Sequence, residues 1–211
     1  MGTAPGAIKL VKAGFVVLDV AGAILKIIAF QYNPETLVRR LEEAATSAPT
    51  SAPTAGTTLP GETVPIGVPG PLALLPLPAP HETVSFTIAL DAADKLQAGD
   101  AVTQQNGILP ALSALELLLY PQPNSLTVWV SGSKRVLPVR ITQMQIMEQM
   151  FDPTLNPIRA EISVALQVLK DADLVNNAHG KALWDAHYNL MQELAATLGT
   201  VNLATLGIAG I

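Results

Sequence analysis

Residues 150–169 read MFDPTLNPIRAEISVALQVL, and this stretch decides the fold. Asp152-Pro153 and Asn156-Pro157 each set a short polar residue before a proline, which drives the chain out of helical geometry and into a turn. Beyond them Ile158, Ala160, Ile162, Val164, Leu166 and Val168 alternate with Arg159, Glu161, Ser163, Ala165, Gln167 and Leu169. Successive strand side chains point to opposite faces. A period of two sustained this long therefore predicts a β-strand with one buried and one more polar face. At a rise of about 3.3 Å per residue it spans roughly 40 Å, about twice the usual strand length. Such a strand suits a large curved sheet or a ring-forming barrel better than a small pocketed enzyme.

Upstream of that strand the pattern is also mostly β. Apolar runs over 8–20 and 24–30 read as two strands joined by a turn at Gly22. Val84, Phe86, Ile88 and Leu90 alternate with Ser85, Thr87 and Ala89, a half-buried strand ended by Asp91 to Asp94. Segments 126–130 and 135–141 flank Ser131-Gly132-Ser133-Lys134 as a hairpin. Pro138 in its second arm points to an edge or a bulge. A further strand over 142–150 leads into the proline turns. Three helices are expected among these strands. Asn33-Pro34-Glu35 has the cap, N1 proline and acidic first turn of a short helix ending near Glu43. Pro110 opens another through Leu119, with Leu112, Leu115, Leu118 and Leu119 in one stripe. The last, over 181–198, aligns Leu183, His187, Leu190, Leu194 and Leu198, with Gly199 placed to cap it.

Residues 46–80 differ in kind, being rich in Pro, Thr, Ser, Gly and Ala with Glu62 their only charge. They cannot build a core, and an extended loop is expected there. The fold class is accordingly α+β, mainly β. The expected organisation is a β domain over 1–172, carrying the loop, and a helical extension over 173–211.

Composition narrows the function. Only 14% of the 211 residues are charged while 49% are hydrophobic, so part of the surface is expected to lie under other subunits. With a net charge of −5 and no Lys or Arg run, nucleic-acid binding is not expected. The chain has no cysteine, hence no disulfide, thiolate nucleophile or Cys-ligated zinc. Asp19 and Lys26 break the apolar run over 14–30, which fits neither a membrane span nor a signal peptide. His81, His179 and His187 are too far apart for a usual zinc site. Asp91, Asp94 and Asp100 lack calcium-loop spacing. No nucleophile elbow and no glycine-rich phosphate loop occurs. The Glu148–Asp152 carboxylates and the Arg159–Glu161 charges are candidates for ion pairs with other subunits, or solvated charges. No catalytic, cofactor-binding or metal residue is assigned, no cofactor is expected and an enzyme is the least favoured class.

Four segments together, QYNPETL from Gln31, VSFTIALD from Val84, GILPAL from Gly107 and FDPTLNPIRA from Phe151, resemble the tube-like domain of contractile injection system baseplate proteins. These belong to phage-tail-like particles. The resemblance covers residues 7 to 170. It implies a split β-barrel of the phage tail-tube type with a short helix on the barrel, and a hexameric ring around a lumen. The ring would join the spike or hub to the inner tube and initiate tube assembly. The implied partners are copies of the chain, the inner-tube protein, the spike or hub protein and other baseplate subunits, with no nucleic acid and no membrane insertion. Synthesis and assembly in the cytoplasm are implied. Many relatives carry a C-terminal LysM-type module. The 40 or so residues after the long strand leave no room for its fold, with one helix expected there instead. An inner-tube or tube-terminator subunit and a cell-wall-binding baseplate module are the alternatives. Asn33, Pro34, Phe151, Asp152, Pro153, Asn156, Pro157, Arg159 and Glu161 are the candidate assembly residues.

Overall fold

A computed structural model describes residues 11–43, 79–120 and 123–198. Much of the Pro-rich segment, Gly199 and the C-terminal tail lie outside the described residues. The chain divides into two compact units, Met1–Arg40 with Glu82–Ile211, and Leu41–His81. The core and the helices belong to the first.

Among the described residues seven strands form one sheet: β1 (Gly14–Asp19), β2 (Ile24–Ala29), β3 (Leu37–Glu42), β4 (His81–Asp91), β5 (Ser125–Val130), β6 (Val136–Phe151) and β7 (Pro157–Val168). Their order is β2-β1-β5-β6-β7-β4-β3, so β2 and β3 are the two edges among the described strands. The pairings from β2 across to β4 are antiparallel. The described residues also form four α-helices: α1 (Ala93–Gln97), α2 (Ala101–Asn106), α3 (Leu109–Glu116) and α4 (Ala178–Ala196). The protein is thus α+β and mainly β.

The period-two reading of β7 holds. Ala160, Ile162, Val164, Leu166 and Val168 are buried while Arg159, Glu161 and Ser163 are exposed. Ile162 lies between Ile88 on β4 and Ile146 on β6. β4 keeps the same alternation, with Val84, Phe86, Ile88 and Leu90 inside.

The sheet is strongly curled. β1 and β4 are four strand spacings apart, which on a flat sheet is about 19 Å. Yet the rings of Phe15 on β1 and Phe86 on β4 have centroids 6.4 Å apart, and Phe86 stacks on Trp129 of β5 at 5.6 Å. Phe30 completes this aromatic centre at 5.2 Å from Phe15. Ile108, Leu112 and Leu115, from α3 and its entry, seal the same concave core. On the sheet's other face, α4 covers Leu18, Leu126, Val128 and Leu169 with Leu183 and Trp184.

Several sequence expectations are corrected. The helix expected from Asn33 to Glu43 is absent: residues 37–42 are strand β3. The Asn33 side chain does not cap a helix. It accepts a hydrogen bond from Ala13 N (2.8 Å) and donates one to Val11 O (2.9 Å), fastening the turn to the start of β1. Pro138 marks neither an edge nor a bulge. It is buried opposite Val128, on a strand flanked on both sides. Pro138 O accepts from Leu169 N just beyond the end of β7, so its missing N–H removes only the last bond of that ladder. The register slip comes instead between Ile141 and Gln143. There the Thr142 hydroxyl donates to Ala165 O. The strands expected over 135–141 and 142–150 are accordingly one sixteen-residue strand, β6. The Asp91–Asp94 segment leads directly into α1, and Leu119, expected in the buried stripe of α3, is 42% exposed.

Candidate assembly surfaces

The corner between β6 and β7 is built on one carboxylate. Asp152 Oδ1 accepts from Thr154 N (2.7 Å), Thr154 Oγ1 (2.8 Å) and Asn156 N (2.8 Å). Its Oδ2 accepts from Asn156 Nδ2 at 2.9 Å. Short acidic side chains can satisfy the N–H groups of a tight turn in this way, which is why Asp-Pro-Thr-Leu-Asn-Pro folds as it does. These bonds, with Asn156 N–H foremost, push the Asp152 pKa down from 3.8 to about 2. The corner is also tied to α2: Asn156 Nδ2 donates to Gln105 O, and Ile108 N to Pro157 O. Gly107 makes that approach possible. At φ +56° it sits where an added Cβ would come 2.2 Å from Pro157 O.

The rigid corner displays apolar groups. Met150 and Leu155 hold left-handed backbone at φ 54° and 66°, an uncommon state for non-glycine residues. Met150, Phe151 and Leu155 are 61%, 50% and 77% exposed.

Asp91 joins this corner's strand to the segment around Asn33. Its carboxylate takes the Arg159 guanidinium (Nε–Oδ2 3.0 Å), and its backbone N–H and C=O pair with both ends of the Gln31 side-chain amide. Gln31 thus acts as a short piece of strand between the end of β2 and the end of β4. The Ala93 N–H and then Arg159 hold the Asp91 carboxyl below its usual range.

Of the nine candidate residues, Phe151, Asp152, Pro153, Asn156 and Pro157 form this one corner. Pro157 is buried, as its place against Gly107 requires, and Phe151 and Pro153 face solvent. Asn33 and Pro34 belong to the segment that Gln31 anchors; Asn33 is exposed and Pro34 half-buried. Arg159 and Glu161 lie on the exposed face of β7. Arg159 has an intramolecular partner in Asp91, and Asp152 is taken up by its own turn.

Two further surfaces had no place among the candidates. One is the outward face of β6, β7 and β4, where Gln143, Gln145, Ser163, Ala165, Ser85 and Thr87 line a groove of about 320 Å³. The charges on these strands' outward face stand toward its ends, Asp91, Arg159 and Glu161 at one and Arg140 at the other. The other is the pair of sheet edges. On β2, Ile24, Leu25 and Ile27 are 61–64% exposed, and on β3 Val38 is 60% exposed. The signal for β2 was in the sequence: ILKIIA has no polar alternation, the mark of a strand covered on both faces.

No protein-family model matches the chain, and no curated protein matches it. Among the described residues no group of three or more His, Asp or Glu could hold a metal ion. No described helix is long and apolar enough to cross a membrane.

Proposed function

We propose that this chain is a structural subunit of a contractile injection system. In this reading the curled sheet is a split β-barrel of the phage tail-tube type. Copies close into a ring, hexameric in the family it resembles, which joins spike to inner tube and starts tube assembly. The observation that carries the reading is the contrast between faces and edges. A broad Ser/Thr/Gln face with few charges suits the wall of a water-filled channel. Among the described strands the two edges differ, β2 (ILKIIA) being apolar and exposed and β3 (LVRRLE) mixing Val38 and Leu41 with Arg39, Arg40 and Glu42. An exposed apolar edge such as β2 is a liability in a monomer and an asset in a subunit whose edges meet neighbours. Because the edges β2 and β3 are different strands, contact between them is heterologous, the kind of contact that gives a ring when its rotation closes and an open filament when it does not.

The absence of native cysteine makes a direct test available. Single cysteines placed in turn along Ile24–Ala29 are combined with single cysteines along Leu37–Glu42, and the assembled protein is oxidised. The reading expects register-specific crosslinks between chains that build a ladder of oligomers up to a closed ring. Absence of inter-chain crosslinks at every register contradicts it. Copy number then separates the initiator from its alternatives: one ring per particle supports it, whereas many rings along the shaft assign the chain to the inner tube.

A further inference from the structure

Helix α4 is held to the sheet by its first half. Gly180 is buried so tightly that a Cβ there would meet Leu174 Cδ2 at 2.8 Å and Leu126 Cδ2 at 3.1 Å. Leu183 and Trp184 pack on the apolar strip formed by Leu18, Leu126, Val128 and Leu169, and Trp184 reaches the main core as well. From Tyr188 onward α4 is exposed except for half-buried Leu190. The last buried residue of the helix is His187, only 9% exposed, and neither of its ring nitrogens has a hydrogen-bond partner. Its ring sits 6.5 Å from that of Trp184.

We propose that α4 is an acid-released cover, held on the sheet while His187 is neutral and freed when the imidazole takes a proton. A neutral imidazole without partners is tolerated among apolar groups; an imidazolium there has two N–H donors and a charge to satisfy. The surroundings favour the neutral ring. Burial is the leading cause, and the cations Arg39 on β3 and Arg135 at the entry to β6 act in the same direction. Glu82 on β4 opposes them. Glu82 and Arg39 are paired with each other at 2.7 Å, so their opposite influences on the ring largely offset, and burial decides the direction. Strand β5, SLTVWV, brings no ionisable group. Asp19 at the end of β1 is taken up by the N–H groups of Ala21 and Ala23. On α4 itself Lys181 pairs with Asp171, and Asp185 faces solvent.

The sign follows from linkage. A histidine pKa that is depressed in the docked state and ordinary in the released state makes docking strongest above the ordinary value, 6.5. Docking then weakens as pH falls through and below 6.5. Release bares Leu18, Leu126, Val128 and Trp184, an apolar strip that is closed at neutral pH.

Amide exchange of the full chain, followed by mass spectrometry and corrected for intrinsic rates, tests the proposal between about pH 7.5 and about pH 5. Protection of Ala178–Ala196 should fall on acidification, by at most about tenfold per pH unit because one proton is involved. Protection of β4 and β7 should stay constant. In His187→Leu and His187→Gln the α4 protection should no longer depend on pH, and the glutamine variant carries the test if the leucine variant does not fold. Wild-type α4 protection that is unchanged across this range overturns the proposal, and so does an equal fall in both variants.

Discussion

Ile162 offers the sharpest probe of how the long strand is used. It is fully buried, the middle residue of a row that runs from Ile88 on β4 to Ile146 on β6. Ile162→Ala removes three carbons, worth about 2.4 kcal/mol at about 0.8 kcal/mol per buried methylene. A cavity adds to that because the flanking strands are held in register on both sides and cannot collapse inward. The expected cost is therefore about 3–4 kcal/mol, within the range for such changes and a large share of a typical stability of about 5–15 kcal/mol. The neighbouring Ser163→Ala makes the control. Ser163 faces solvent and has only a 3.4 Å contact with Thr87, so its loss should stay within about 0.5 kcal/mol. Urea unfolding followed by fluorescence of buried Trp129 measures both. A cost for Ile162→Ala no larger than that for Ser163→Ala would refute the assignment of faces. Ile162→Asp goes further, burying an unpaired charge, and should abolish both folding and incorporation into particles.

Three other outcomes are expected. Asp152, with its pKa depressed to about 2, contributes stability that is present above its ordinary 3.8 and lost as pH falls toward 2. The difference in urea midpoint between wild type and Asp152→Asn should accordingly shrink from about pH 4 to about pH 2, and a constant difference would count against the turn geometry. Gly107→Ala forces a Cβ toward Pro157 O at a backbone angle that only glycine favours. A loss of about 1–3 kcal/mol should appear as a lower melting temperature, and an unchanged one contradicts the docking of the corner on α2. Ile27→Pro at the exposed edge should leave the monomer's circular dichroism intact while preventing oligomer formation, as read by sedimentation.

What could be read from the sequence depended on whether the governing contacts were local. β4 and β7 were legible because each has one face in the core, and burial imposes period two on the residues. The Asp152–Asn156 corner was legible as a turn because its bonds span at most four residues. Asn33-Pro34-Glu35 misled for the same reason in reverse. Its local pattern is a helix start, yet the Asn33 amide binds Val11 and Ala13 across about twenty residues. Pro138 was read by a rule about ladder bonds that its position at the end of the β6–β7 ladder satisfies. The Gln31–Asp91 bridge joins residues 60 apart, and no local pattern marks it. Of the candidate assembly surfaces, the corner was visible in the sequence, and so was the unbroken apolar run of β2, but only the strand order places β2 and β3 at the rims.

The central claim is that copies of this chain close edge to edge around a channel lined by the polar face of β4, β6 and β7. Electron microscopy of the full chain, purified alone and with its particle, addresses that most directly. The account predicts end-on views of a closed ring, with Ser85, Thr87, Ser163 and Gln145 facing the central opening and β2 of each copy beside β3 of the next. Particles in which the chain is monomeric, or in which that polar face points outward, would contradict it.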